Sequence, residues 1–169
     1  MLPKQTYIID RVLHWVSSLT ILFLLLDMGT RTHLIDYRIK GAIAHKQDAI
    51  ELHMIMGLFL FVVLLMRLIW TRFFLHPEYQ VQYQSRKHKW LVLTIHNSMY
   101  MTLLLLMCSG LFMVSNYEHP LNILGVFQFS DSGVNQSIFL SANNWHLWFE
   151  SLIYFLIFIH FSGAVYNRR

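Results

Sequence analysis

The chain has 169 residues, of which 56% are hydrophobic and only 13% charged. Soluble domains are about 25% charged, so the length allows one domain while the composition excludes an ordinary water-soluble one. The net charge of +4 does not mark a nucleic-acid binder, because the basic residues sit between apolar blocks, where they act as topology signals. The single cysteine, Cys108, permits no intrachain disulfide, no zinc–thiolate cluster and no covalent haem attachment.

Four apolar blocks follow in chain order. They cover 12–28 (VLHWVSSLTILFLLLDM), 50–74, 90–115 and 144–166. Each approaches or exceeds the roughly 20 residues a helix needs to cross a bilayer. Backbone at that depth must satisfy its own hydrogen bonds, so the blocks predict helices. The expected fold class is all-α, an integral-membrane four-helix bundle forming one domain over 1–169. Lys4 and Arg11 precede the first block as they would in a signal peptide. The chain continues as DMGTRTH without a small-residue cleavage pattern, so the block reads as a retained span.

The connections set the orientation. Lys4, Arg11, Arg67, Arg72, Arg86, Lys87, Lys89, Arg168 and Arg169 fall on one side, and Arg31, Arg38, Lys40 and Lys46 on the other. The richer side faces the cytoplasm, which places both termini there. The first outer loop, about 29–49, is basic. The last outer loop, about 116–143, carries Pro120, Gly125 and Gly133 and is long enough to fold over the bundle mouth.

Histidine carries the most functional information. Of ten histidines, five lie within the blocks: His14, His53, His96, His146 and His160. Such residues are costly inside a membrane and are functional candidates for that reason. By depth, His53 and His146 form an outer layer, and His14, His96 and His160 an inner one. His146 and His160 are 14 residues apart, which is about 21 Å along a helix and close to four whole turns. Both therefore face nearly the same way at two depths. Paired neutral imidazoles from two helices suit a low-spin haem iron with both axial positions filled. Zinc or copper would want three or four ligands in one layer, often with cysteine or carboxylate. The nearby acids, Asp10, Asp27, Glu51 and Glu150, lie mostly at span ends. Gly57 follows His53 by one turn, Ser109 and Gly110 lie deep in the third block, and Gly163 follows His160; small residues there let a flat macrocycle approach the backbone. Arg67 lies 14 residues after His53, at the inner layer, where its side chain suits equally a haem propionate and the cytoplasmic headgroups, reached by snorkelling.

LHW at 13–15, HMIMG at 53–57 followed by Arg67, His96 with Gly110 fourteen residues later, NWH at 144–146 and IHFSGA at 159–164 together resemble the bacterial di-haem cytochrome b561 family. That family is related to the cytochrome b subunits of nickel hydrogenases and formate dehydrogenases. The resemblance covers essentially the whole chain. It implies two haem b groups, with His14 and His160 as ligands of the inner one and His53 and His146 of the outer. His96 is then left as a non-ligand near the inner haem. Two positions depart from the usual pattern: Leu147 follows the NWH histidine where the family has Glu, and the third span reads LMCSG without the usual proline.

Bis-histidine iron has no open site, so oxygen activation is not expected. The resemblance implies an oxidoreductase of the bacterial inner membrane that oxidises superoxide at the outer face and reduces ubiquinone within the lipid. The basic first outer loop, with Arg31, His33, Arg38, Lys40 and Lys46, would steer a small anion inward. The alternative is a membrane anchor that passes electrons between quinone and a partner dehydrogenase or hydrogenase. A haem-free scaffolding protein is the third possibility.

Overall fold

Each apolar block falls on a helix longer than itself, the second overrunning its helix by one residue at Phe74. The computed structural model describes residues 3–35, 43–75, 85–117, 121–123, 127–129 and 135–166. Among them are four helices, α1 (Pro3–Ile35), α2 (Ile43–Phe73), α3 (Arg86–Ser115) and α4 (Gln136–Tyr166). All four are long and apolar enough to cross a membrane. The all-α membrane fold expected from the apolar blocks is the fold observed. It has one addition: short strands β1 (Leu121–Ile123) and β2 (Phe127–Phe129), which pair with each other.

The helices run to between 30 and 33 residues, whereas the hydrocarbon core takes up about 20. The surplus is the polar sequence that flanks each block, where hydrated side chains and helical backbone are compatible. The first outer loop is therefore mostly helix. Arg31 and His33 belong to α1, and His45 and Lys46 to α2, while Arg38 and Lys40 lie outside the described residues. The last loop is shortened in the same way, because α4 begins at Gln136. Its Pro120, Gly125 and Gly133, and with them the expected cover over the mouth, lie outside the described residues.

Local chemistry sets several helix ends. Pro3 opens α1, where its missing N–H has no intrahelical partner to lose. Ser85 caps α3 by accepting from the His88 amide at 3.1 Å, and Asn135 caps α4 by accepting from the amides of Ser137 and Ile138. Asn116, just past α3, accepts from the Asn135 amide at 3.3 Å. One side chain thus ties the end of α3 to the start of α4.

The chain divides into two compact units. The first is built on α1 and α2, with β1 against α2. Its helices run antiparallel, since Trp70 Nε1 donates to the Thr6 carbonyl at 3.0 Å and the Thr71 hydroxyl to Asp10 at 3.1 Å. The α1 seam buries Thr6, Ser17, Thr20 and Asp27, and the α2 seam Leu60, Val63 and Leu64. Three α1 hydroxyls are satisfied inside their own helix: Ser17 and Ser18 both donate to the His14 carbonyl, and Thr20 to that of Val16. Small side chains in the seam let the two helices approach closely.

The second unit is built on α3 and α4. Its seam holds Thr102, Leu103, Ser109 and Val114 opposite Ala142, Ile153 and Leu156. Trp15, Leu19 and Leu22 on α1 and Phe155, Phe158 and Phe161 on α4 are among many large apolar side chains exposed on the chain. A surface this apolar is suited to lipid tails rather than water. Cys108 is exposed on that surface rather than packed within the seam.

Candidate functional site

Each antiparallel hairpin carries two polar layers. In the first unit, the Thr6–Trp70 and Asp10–Thr71 hydrogen bonds fix the register of α1 against α2. Two antiparallel helices with the same rise then step past each other one residue for one. That register brings Arg67 level with His14, and Asp27 level with His53, to within about one turn. His14 and Arg67 thus share the inner layer of this unit, and Asp27 and His53 the outer one.

His14, His53 and Arg67 are all half-buried. His14 stands beside Trp15, its ring centre 6.0 Å from that of the indole, and Trp15 is exposed as an interfacial aromatic would be. The Nε of Arg67 is buried and makes no hydrogen bond among the described residues. A guanidinium in an apolar hairpin calls for an anionic partner, which is the chemistry a propionate supplies. Gly57 leaves open space, since a methyl group placed on it would meet nothing within 4 Å. A flat ring can come close to α2 at that point, one turn from His53.

In the second unit the layers are fixed by direct contacts. At the inner level the rings of His96 and His160 meet edge to face, 4.9 Å between centres and 89° between planes. His96 Nδ1 lies 2.7 Å from the Val92 carbonyl. A carbonyl only accepts, so this nitrogen carries the proton. Two imidazoles on opposite faces of one iron, with metal–nitrogen bonds of about 2 Å, hold their ring centres roughly 6 Å apart. The His96 and His160 rings are too close to enclose an iron between them. The two rings are therefore in direct contact with each other.

At the outer level His146 lies against α3. Its Nδ1 is 2.9 Å from the Ser109 hydroxyl. A methyl group placed on Gly110 would touch Cε1 of His146 at 3.5 Å. The imidazole thus lies at ordinary contact distance from this point of α3. Gly163, like Gly57, has open space around it. Around His146 the rings of Trp145, Trp148 and Phe149 stack and cross at centre distances of 5.6 to 6.2 Å. Trp145 and Trp148 are exposed, as expected of aromatics at a membrane–water interface.

Among the described residues no three His, Cys, Asp or Glu side chains converge as a metal cage would. The half-buried histidines thus stand singly or in pairs at two depths. They fit a haem better than a zinc centre: the donors are imidazoles, Gly57 opens a path to the backbone, and the buried Arg67 Nε is suited to a carboxylate. Asp27 and Ser109 are the two features that sequence reasoning undervalued. Asp27 appeared there only as an acid at a span end, and Ser109 only as a small residue. The signal for Asp27 was its place after an unbroken LFLLL run, where an acid is expensive. Ser109 gave no signal of its own.

In comparison with known families, the family model of prokaryotic cytochrome b561 matches residues 7–169. No curated protein matches the chain.

Proposed function

The chain belongs to the prokaryotic cytochrome b561 family, and on that premise we propose that it is a di-haem oxidoreductase of the bacterial inner membrane, taking electrons from superoxide at the outer face and delivering them to ubiquinone. Haem-dependent electron transfer in a membrane follows from the family and the four spanning helices. The number of haems, the donor, the acceptor and the orientation are our reading.

Haem b, when bound, supplies a one-electron iron couple. We assign His14 and His160 as the ligands of an inner haem and His53 and His146 as those of an outer one. The pairing rests on depth in the sequence and on the family resemblance. The observation that carries the reading is the repeated layer spacing. Fourteen residues separate His53 from Arg67, His96 from Gly110 and His146 from His160, and thirteen separate His14 from Asp27. On each helix taken singly, these residues lie about 20 Å apart along the axis. One metal centre would need one such layer.

Arg67 is assigned to a propionate of the inner haem, and Gly57 to the close approach of the outer one. His96, beside His160, is placed near the inner haem without binding iron. In the overall reaction two superoxide ions each lose one electron and become dioxygen. One ubiquinone takes up those two electrons and two protons and becomes ubiquinol. The cations Arg31, Arg38, Lys40 and Lys46, assigned to the outer face, attract the anionic donor.

The test is a reduced-minus-oxidised absorbance spectrum of the detergent-purified chain, with haem extracted and counted, followed by superoxide-driven ubiquinone reduction. Two non-covalent haems per chain are expected, falling to one in His146→Ala. A protein without haem would overturn the reading. Two haems with no turnover on superoxide would leave the electron-transfer role and favour a membrane anchor serving a partner dehydrogenase.

A further inference from the structure

The outer-layer histidine of α4 does not lie against a featureless helix. Ser109 of α3 is only 7% exposed and holds two hydrogen-bond contacts at once. Its Oγ is 2.9 Å from the carbonyl of Leu106, one turn back on the same helix, and 2.9 Å from Nδ1 of His146. A hydroxyl has one proton. The Leu106 carbonyl can only accept, so that proton is given to Leu106, and the oxygen then accepts from His146. One arrangement satisfies both contacts: Nδ1–H of His146 to Ser109, and O–H of Ser109 to the α3 backbone.

From this geometry we propose that Ser109 is the positioning residue for the outer iron ligand, fixing the proton of His146 on Nδ1 so that Nε2 presents its lone pair to the metal. The proposal rests on the di-haem reading above. A neutral imidazole carries its proton on either nitrogen, and with the proton on Nε2 that atom has no lone pair to offer. The Ser109 contact removes this ambiguity and holds the ring plane against α3. A hydrogen bond on the far nitrogen also makes an imidazole a better donor to its metal, which favours ferric over ferrous iron.

The effect belongs to one layer. At the inner level His160 meets the ring of His96, fourteen residues before Gly110 on the same helix. Ser109 therefore acts on the outer site and leaves the inner one alone.

The experiment is a potentiometric titration of both haems, with haem counting, in the full-length purified protein and its Ser109→Ala and Ser109→Thr variants. The outer haem is identified as the one missing from His53→Ala. In Ser109→Ala the outer haem should lose roughly tenfold of its preference for the ferric state, an upward shift of about 59 mV for one electron. It should also be the first lost on dilution, while the inner haem is unchanged. Ser109→Thr keeps the hydroxyl and should restore the parent values. Parent-like potentials and occupancy in Ser109→Ala would overturn the proposal. So would equal loss in the Ala and Thr variants, because that would make Ser109 a packing residue. A parent protein without haem would overturn the di-haem reading and this proposal with it.

Discussion

Arg67 shows how much a single residue can reveal here. Its place fourteen residues after His53 was legible in the sequence, but the spacing fitted a propionate partner and a side chain stretched to the headgroups equally well. The structure leaves Arg67 half-buried, with its Nε buried and without a hydrogen bond among the described residues. The propionate reading gives that atom an anionic partner, and a variant separates it from the headgroup reading. A charge-assisted hydrogen bond contributes about 1.5–3 kcal/mol, so Arg67→Gln should speed loss of the inner haem by roughly ten- to a hundredfold. Transfer of haem from the purified protein to excess apo-globin measures this, and the outer haem serves as the internal control. Equal release rates in the variant and the parent would return Arg67 to the headgroups. The histidines were legible for the same reason as Arg67, since helical spacing is written in the sequence. Asp27 beside His53 and Ser109 beside His146 were not, because each pair is joined by the register between two helices, which no local pattern encodes.

Among the elements, the positions of the helices were readable and their lengths were not. The apolar blocks marked the hydrocarbon core, and the third ended at Ser115 just as α3 does. They missed the polar turns at the ends because hydropathy measures lipid contact rather than helical backbone. The seams are also invisible to hydropathy. On α1 the buried face is Ser17, Thr20 and Asp27, while Leu19, Leu22 and Leu26 point outward. In water the sense would be reversed. With lipid on the outside the hydrophobic drive to bury leucine is lost, and on α1 small residues take the seam, packing against Leu60, Val63 and Leu64 of α2. Ser17, 2% exposed, is the tightest of these positions. Ser17→Leu should overpack the α1–α2 seam and cost about 1–3 kcal/mol, read as a lower midpoint in detergent unfolding. Ser17→Ala should be nearly neutral, because the Ser17 hydroxyl bonds only to the His14 carbonyl of its own helix. Tolerance of leucine would mean that the seam is looser than the burial of Ser17 indicates.

For the whole molecule, charge is the quantity that links topology to function. The chain is poor in charged residues, yet nine of its cations fall on one side of the spans and four on the other. The larger group sets orientation through the positive-inside rule. In the proposed function the smaller group, Arg31, Arg38, Lys40 and Lys46, has a different purpose. Positive charge at the outer face would raise the encounter rate of an anionic donor. The attraction is screened over a Debye length of about 8 Å at physiological salt. Replacing these four with glutamine should lower the rate of superoxide oxidation severalfold at low ionic strength and flatten its dependence on salt. Ubiquinone reduction driven by a neutral artificial donor should be unaffected, because that donor has no charge to be steered. The two rates are measured on the same preparation, so a loss of folded protein would lower both together and be recognised as such. A superoxide rate that is unchanged and independent of salt would remove the steering role from these cations. The electron donor would then have to be sought among uncharged molecules or in a partner protein that docks by shape.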